Sequence, residues 1–263
     1  MAHPSLRLST SGLMARIIPD EMNQGSYILC LGSAEQSHVN MLSPETIFYE
    51  YLRRIGNVID ALAVAGEPLR IAHLGAGALT LVRYVQATRP GSIQVAVDIE
   101  RELVEFVTAH LPLPLGTQCQ SVVADAREVL GDIPRLLDSP AGVDAIVLDI
   151  FSGWDAPEHL RQREFYELAQ RALSDDGVLL VNVGDDPGLS FFASQAQHML
   201  EVFEHVWCLC ERSMLTGKQA GNLILVGSRH VLDESMRTFL EGVGPHPGVV
   251  LDTWQVADFV KSL

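Results

Sequence analysis

The stretch Leu69-Arg70-Ile71-Ala72-His73-Leu74-Gly75-Ala76-Gly77-Ala78-Leu79, running on through LTLVRYVQAT and SIQVAVDI to Asp98, decides the fold of this chain. An apolar run of strand length breaks at a glycine turn, a helical pattern follows, and a second apolar run ends on an acid. That alternation makes parallel βαβ units with right-handed crossovers. Gly75 and Gly77 stand where strand hands over to helix, and missing side chains there let a ligand approach the backbone and the helix N-terminus. Thr80 occupies the place where a dinucleotide fingerprint wants Gly or Ala, which counts against NAD.

Working outward, each later strand also ends on an acid. Asp98 follows the glycines by about twenty residues, the distance at which a carboxylate accepts both ribose hydroxyls. Asp125, with Ala126 behind it, closes SVVAD, where it can receive an adenine amino group or cap the next helix. Asp149 closes VDAIVLDI, where it can act as a general base, anchor an amine, or serve as a turn acid. A doubly wound α/β sheet lines up strand tips in this order around an adenosyl ligand, so a nucleoside-containing cofactor is expected. Trp154 is a lid candidate that can face a sulfonium through its ring, or simply a packing residue. Asp185 and Asp186, after the fifth strand GVLLVNVG, can hold a second amine or lie in a solvated loop. His73 reads as a satisfied core histidine, and no set of histidines has metal-ligand spacing.

The remaining pattern fills in around these tips. ARII and SYILCLG, split by the polar turn PDEMNQG, read as a small hairpin region over residues 1–43. A helix is expected over 44–64, with Ser43 as its N-cap and Gly66-Glu67-Pro68 as its stop. It opens a Rossmann-like unit spanning 44–263. AREVLGDIPRLL reads as one helix, REFYELAQRAL as another closed by Ser174-Asp175-Asp176-Gly177, and 189–203 as a third. HVWCLCE and GNLILVGS then read as an antiparallel hairpin at the sheet edge.

Length and composition exclude several classes. With 263 residues and 48% hydrophobic content the chain fills a sizeable core without staples. Cys30, Cys119, Cys208 and Cys210 show neither disulfide-scaffold density nor zinc spacing, which fits a cytoplasmic protein. No stretch is apolar for the roughly 20 residues a membrane span needs, so no membrane partner is expected. Eighteen Lys plus Arg against 33 Asp plus Glu give a formal charge of −15. That field repels phosphate backbones, so nucleic acid is not an expected partner, and it permits a cationic substrate. No GxSxG elbow or P-loop is present.

GSAEQSHVNMLSPETIFYEYLRRI, HLGAGALTLVRYV and VLDIFSG resemble the spermidine synthase (polyamine aminopropyltransferase) family, in its actinobacterial spermidine synthase-like branch. The resemblance covers about Ile17 to Ser228 and implies a class I S-adenosylmethionine methyltransferase-like, mostly parallel sheet with a small N-terminal β region. It implies that Gln36 closes over the cofactor and that Glu50 contacts substrate, with Phe48 where the family carries tyrosine. Gly75 and Gly77 would line the methionine-like portion, Asp98 would take the ribose, and Asp125 with Ala126 the adenine. Asp149 would deprotonate the attacking amine. The family's Asp-Ser-Ser-Asp-Pro becomes Asp149-Ile150-Phe151-Ser152-Gly153, so Ser152 replaces an acid that helps hold the acceptor. Leu79 stands where a further glycine is common.

The activity expected is transfer of the aminopropyl group of decarboxylated S-adenosylmethionine to putrescine or a related small amine, without a metal. A homodimer is the expected assembly. Two alternatives keep the site: a methyltransferase using intact S-adenosylmethionine, and a nucleoside-binding protein that has lost catalysis.

Overall fold

Five strands pair in parallel to form the centre of the molecule. The computed structural model describes residues 3–150 and 157–263. Four short strands come first: β1 (Ser5–Arg7), β2 (Met14–Pro19), β3 (Ser26–Leu31) and β4 (Ala34–Asn40), joined in order as an antiparallel sheet. Helix α1 (Glu50–Ala61) leads to β5 (Arg70–Leu74), α2 (Thr80–Thr88), β6 (Ile93–Asp98), α3 (Leu103–His110) and β7 (Gln118–Val123). Next come α4 (Ala126–Val129), α5 (Ile133–Leu136), β8 (Val143–Leu148), α6 (Arg163–Ala172), β9 (Leu173–Asp185) and α7 (Ser190–Val202). The chain ends with β10 (His205–Glu211), β11 (Gly221–Ser228), α8 (Glu234–Gly242), β12 (Gly248–Leu251) and α9 (Thr253–Ser262).

The large sheet has the order β12-β10-β11-β9-β8-β5-β6-β7. Strands β5 to β9 are parallel, while β11, β10 and β12 add in antiparallel fashion beyond β9. From β5 the chain winds one way to β6 and β7, then returns to wind the other way through β8 and β9. The switch therefore falls between β5 and β8, and a crevice opens there at the carboxyl ends of the strands. This is the class I S-adenosylmethionine methyltransferase-like arrangement.

Both faces of the sheet are covered, as strands apolar on both sides require. Ile55, Val58 and Ile59 of α1 meet Ala145, Leu180 and Ile224 on one face. Phe165, Tyr166, Phe192 and Met199 of α6 and α7 meet Ile146, Leu179 and Leu225 on the other. The small sheet shares a third cluster with the main body: Leu8, Ile17 and Leu29 pack against Val82, Leu103 and Phe106.

Several expectations need correction. The N-terminal hairpin is a four-stranded sheet, because the three-residue β1 and the polar β4 also pair. Helix α1 begins at Glu50 with Tyr49 at its N-cap, not at Ser43. The Asn40 side chain instead accepts the backbone N–H groups of Leu42 and Ser43, and Thr46 closes a turn onto Ser43, so the chain turns before it coils. Residues 126–136 form two short helices joined by a tight turn. Ser174–Gly177 does not cap α6: Leu173 is already extended and paired with Val143, and the next pair is Val178 with Ala145. The intervening residues are a bulge within β9. The sheet edge beyond β10 is β12, added by a C-terminal segment whose strand is only four residues long.

Candidate active site

A cleft of about 570 Å³ lies over the carboxyl ends of β5, β6 and β8, roofed by the small sheet and α1. Of the eleven residues expected at the site, seven line it: Gln36, Gly75, Gly77, Asp98, Asp125, Ala126 and Asp149. Ser152 and Trp154 lie outside the described residues. Glu50 and Asp185 are placed elsewhere.

The glycine turn is shaped by what passes over it. Gly75 has φ +96°, and a Cβ there would collide with the Asp149 carbonyl oxygen. The two strand ends are also tied by Asp149 N–H donating to the Leu74 carbonyl at 2.9 Å. Gly77 has φ +48°, and its missing Cβ leaves room for the Ser37 hydroxyl, which accepts Ala78 N–H at 3.0 Å. Leu79 adopts the left-handed conformation, φ 60° and ψ 34°, that glycine takes freely. Its buried side chain in the shared cluster offsets that strain.

Asp98 accepts Ala76 N–H at 3.0 Å through one oxygen and Glu100 N–H at 2.8 Å through the other. Burial pushes its carboxyl above the ordinary range, against the pull of those N–H donors. Asp125 serves as an N-cap, accepting Arg127 and Glu128 N–H through one oxygen, while the other lies 2.7 Å from His159 Nε2. Burial alone would raise its carboxyl. The His159 hydrogen bond and the two backbone donors outweigh that, and the group sits below its ordinary value.

Asp149 is held by side chains from two different elements. Asn182 Nδ2 of β9 donates to one oxygen at 2.8 Å, and the Tyr51 hydroxyl of α1 reaches the other at 3.4 Å. Burial raises this carboxyl despite both donors. Tyr51 is itself held protonated, first by burial and then by the Asp149 charge. Its ring stacks on Tyr49, 6.1 Å between centroids and 14° between planes.

The sequence reading placed the contact from α1 at Glu50, but Glu50 pairs with Arg54 one helical turn on, and its neighbour Tyr51 lines the cleft. Asp185 accepts Asp186 N–H through one oxygen and Phe192 N–H, in the first turn of α7, through the other, while Leu189 is the N-cap of that helix. His73 is buried beside Gln94, 2.9 Å from its amide oxygen, and burial lowers it to about 4. Tyr51, Asn182, His159 and Glu100 were missed. Only Tyr51, inside the quoted YEYLRRI segment, carried a sequence signal; the others are single polar residues that tertiary structure brings in.

No family model matches the chain. It is similar to a protein named polyamine aminopropyltransferase from Chromobacterium violaceum, 30% identical over 180 residues that cover 67% of this chain and 64% of the relative. The chain thus spans just under two thirds of that relative's length. The crystal structure of a probable spermidine synthase from Corynebacterium glutamicum matches with a TM-score of 0.86 and 28% identity, covering 99% of this chain and 94% of the other. Human methyltransferase-like protein 13, solved with SAH, has a TM-score of 0.58 at 17% identity over 80% of this chain and 91% of its own, a likeness of fold. Taken with the switch-point cleft and its strand-end acids, the sequence similarity and the chain-long structural match make this chain similar to the spermidine synthase (polyamine aminopropyltransferase) family.

Proposed function

We propose that the chain transfers the aminopropyl group of decarboxylated S-adenosylmethionine to putrescine or a related small amine. One observation carries the choice of donor. Asp98, Glu100, Asp125 and Asp149 line the cleft, and among the described residues no Lys or Arg does. A pocket of that sign favours a sulfonium with a free ammonium over a donor that still bears a carboxylate.

In this reading Asp98 takes the ribose hydroxyls, Asp125 and Ala126 the adenine edge, and Gly75 and Gly77 the chain next to sulfur, with Gln36 closing from β4. Residues 1–43 form the small cover and 44–263 the cofactor unit. The amine nitrogen attacks the methylene beside the sulfonium. A C–N bond forms, the C–S bond breaks, and its electron pair returns to sulfur, releasing neutral methylthioadenosine. Asp149 takes the proton the amine loses and passes it to solvent. Tyr51 and Asn182 fix the carboxylate in place, so alignment rather than a Lewis acid lowers the barrier. Ser152 and Trp154 remain proposed acceptor contacts.

No helix among the described residues is long and apolar enough to cross a membrane. The four free cysteines fit the proposed cytoplasmic site of action. The active form is proposed as a homodimer, which sedimentation equilibrium tests.

The deciding assay incubates the protein with putrescine and either decarboxylated or intact S-adenosylmethionine, following methylthioadenosine and S-adenosylhomocysteine release. Methylthioadenosine and spermidine from the first mixture are expected. Release of S-adenosylhomocysteine alone would move the chain to the methyltransferases, and binding without turnover to the non-catalytic reading.

A further inference from the structure

We infer that the turn at residues 9–12, between β1 and β2, is a wall of the nucleoside pocket and that Glu100 is the positioning residue that clasps it there. The inference rests on the proposed reading of the cleft as a nucleoside site. Glu100 is only 7% exposed, yet its carboxylate is committed to a distant piece of backbone. One oxygen accepts Ser11 N–H at 2.8 Å and the other accepts Thr10 N–H at 3.2 Å. Two further bonds continue the seam: the Thr10 hydroxyl donates to the Ile99 carbonyl at 3.2 Å, and Ser9 N–H donates to Glu102 at 3.3 Å. These residues lie some ninety positions apart in sequence. The turn itself is closed by Leu8 N–H to the Leu13 carbonyl at 2.9 Å, and Leu8 is wholly buried against Leu103, Phe106 and Val107.

The same segment carries the proposed ribose acid. Glu100 N–H donates to Asp98 Oδ1, so the residue that would hold the ribose and the residue that holds the turn share one hydrogen-bonded loop. Thr10, Ser11 and Leu13 line the cleft beside Asp98 and Ile99. Solvent-facing turns do not need a buried carboxylate, because water satisfies their N–H groups at no cost. A turn fixed this way presents a set surface to whatever lies on Asp98. Binding at Asp98 and closure of the turn are therefore coupled, and coupling in binding free energy is reciprocal.

The test pairs the parent with Glu100→Gln. Glutamine keeps the volume but sets an NH₂ against one of the two backbone donors. In the parent, saturating methylthioadenosine is expected to slow hydrogen exchange at the Thr10 and Ser11 amides. In Glu100→Gln that protection is expected to shrink, with methylthioadenosine bound about tenfold more weakly. The donor KM should rise with it, while kcat at saturating donor stays near the parent value. If the parent binds methylthioadenosine and the two amides exchange at the same rate with and without it, the clasp is wrong and the nucleoside site stands. Equal affinity of the variant and the parent would likewise rule out the clasp and leave the nucleoside site in place. A parent that does not bind methylthioadenosine overturns the nucleoside reading and the clasp with it.

Discussion

Asp149, the proposed base, sets the demands of catalysis against those of stability. Its carboxyl is raised above the ordinary carboxylate range chiefly by burial, so the native state holds this proton to a higher pH than the unfolded chain does. That protonation favours folding at low pH, and the advantage is lost as pH rises from about 4 through the raised value. At neutral pH the ionised group is a net cost, which a base in a cleft tolerates for its reactivity. Asp149→Asn should therefore cut turnover at least a hundredfold, since the amide cannot take the amine's proton. It should also raise the melting temperature at pH 7, with the gain vanishing as pH falls to the ordinary carboxylate range. Equal turnover would remove Asp149 from the mechanism, and a lower melting temperature would contradict its electrostatic cost. Asp98→Ala should weaken methylthioadenosine by about 1.5 to 3 kcal/mol in calorimetry, the worth of hydrogen bonds to a charged acceptor. Unchanged affinity would place the ribose elsewhere. Gly75→Ala meets both a positive φ and the Asp149 carbonyl, so a loss of about 2 to 4 kcal/mol is expected in urea unfolding.

Among the elements, those that the sequence makes plain are the buried ones. β5, β6, β8 and the later half of β9 are dominated by Val, Ile, Leu and Ala and read as interior strands without help, and Asp98 at the end of β6 and Asp149 just after β8 stand at their tips. What was hidden is local and polar. β4 reads AEQSHVN, with its first three residues exposed, and only pairing with β3 makes it a strand. The start of α1 was misplaced because the residues from Pro44 to Tyr49 have helical apolar spacing, while Asn40 and a group of rings, His38 stacked on Phe48 and Tyr49 edge-on to Phe48, hold them in another shape. The resemblance pointed to Glu50 and not to Tyr51 beside it, and a shift of one residue turns a helix by about 100°. β12 is short, but what anchors it is strong. Asp252 caps α9 in a capping box with Gln255 and pairs with Arg237 of α8 at 2.8 Å. Asp252→Ala should cost about 1 kcal/mol in urea unfolding and leave methylthioadenosine affinity unchanged. A matching loss of affinity would show that the antiparallel edge communicates with the cleft.

At the scale of the whole molecule, charge and pocket point the same way. The chain carries a formal charge of −15, and the acids lining the cleft concentrate that field where the ligands enter. Both proposed substrates are cations at neutral pH: the donor through its sulfonium and ammonium, the acceptor through its amines. Methylthioadenosine, on the proposed reading, would fill the same nucleoside site with no charge. Ionic strength therefore separates field from fit, because the Debye length shrinks from about 30 Å at 0.01 M to about 8 Å at 0.15 M and screens the long-range attraction. Between those two salt concentrations kcat/KM for decarboxylated S-adenosylmethionine and for putrescine should each fall several-fold, as expected for steered cationic ligands. Methylthioadenosine affinity, measured by calorimetry in the same buffers, should stay constant within twofold. A kcat/KM that ignores salt would mean that the acidic surface serves solubility alone. A parallel loss of methylthioadenosine affinity would mean that salt alters the cleft itself, and the electrostatic account of donor choice would fall.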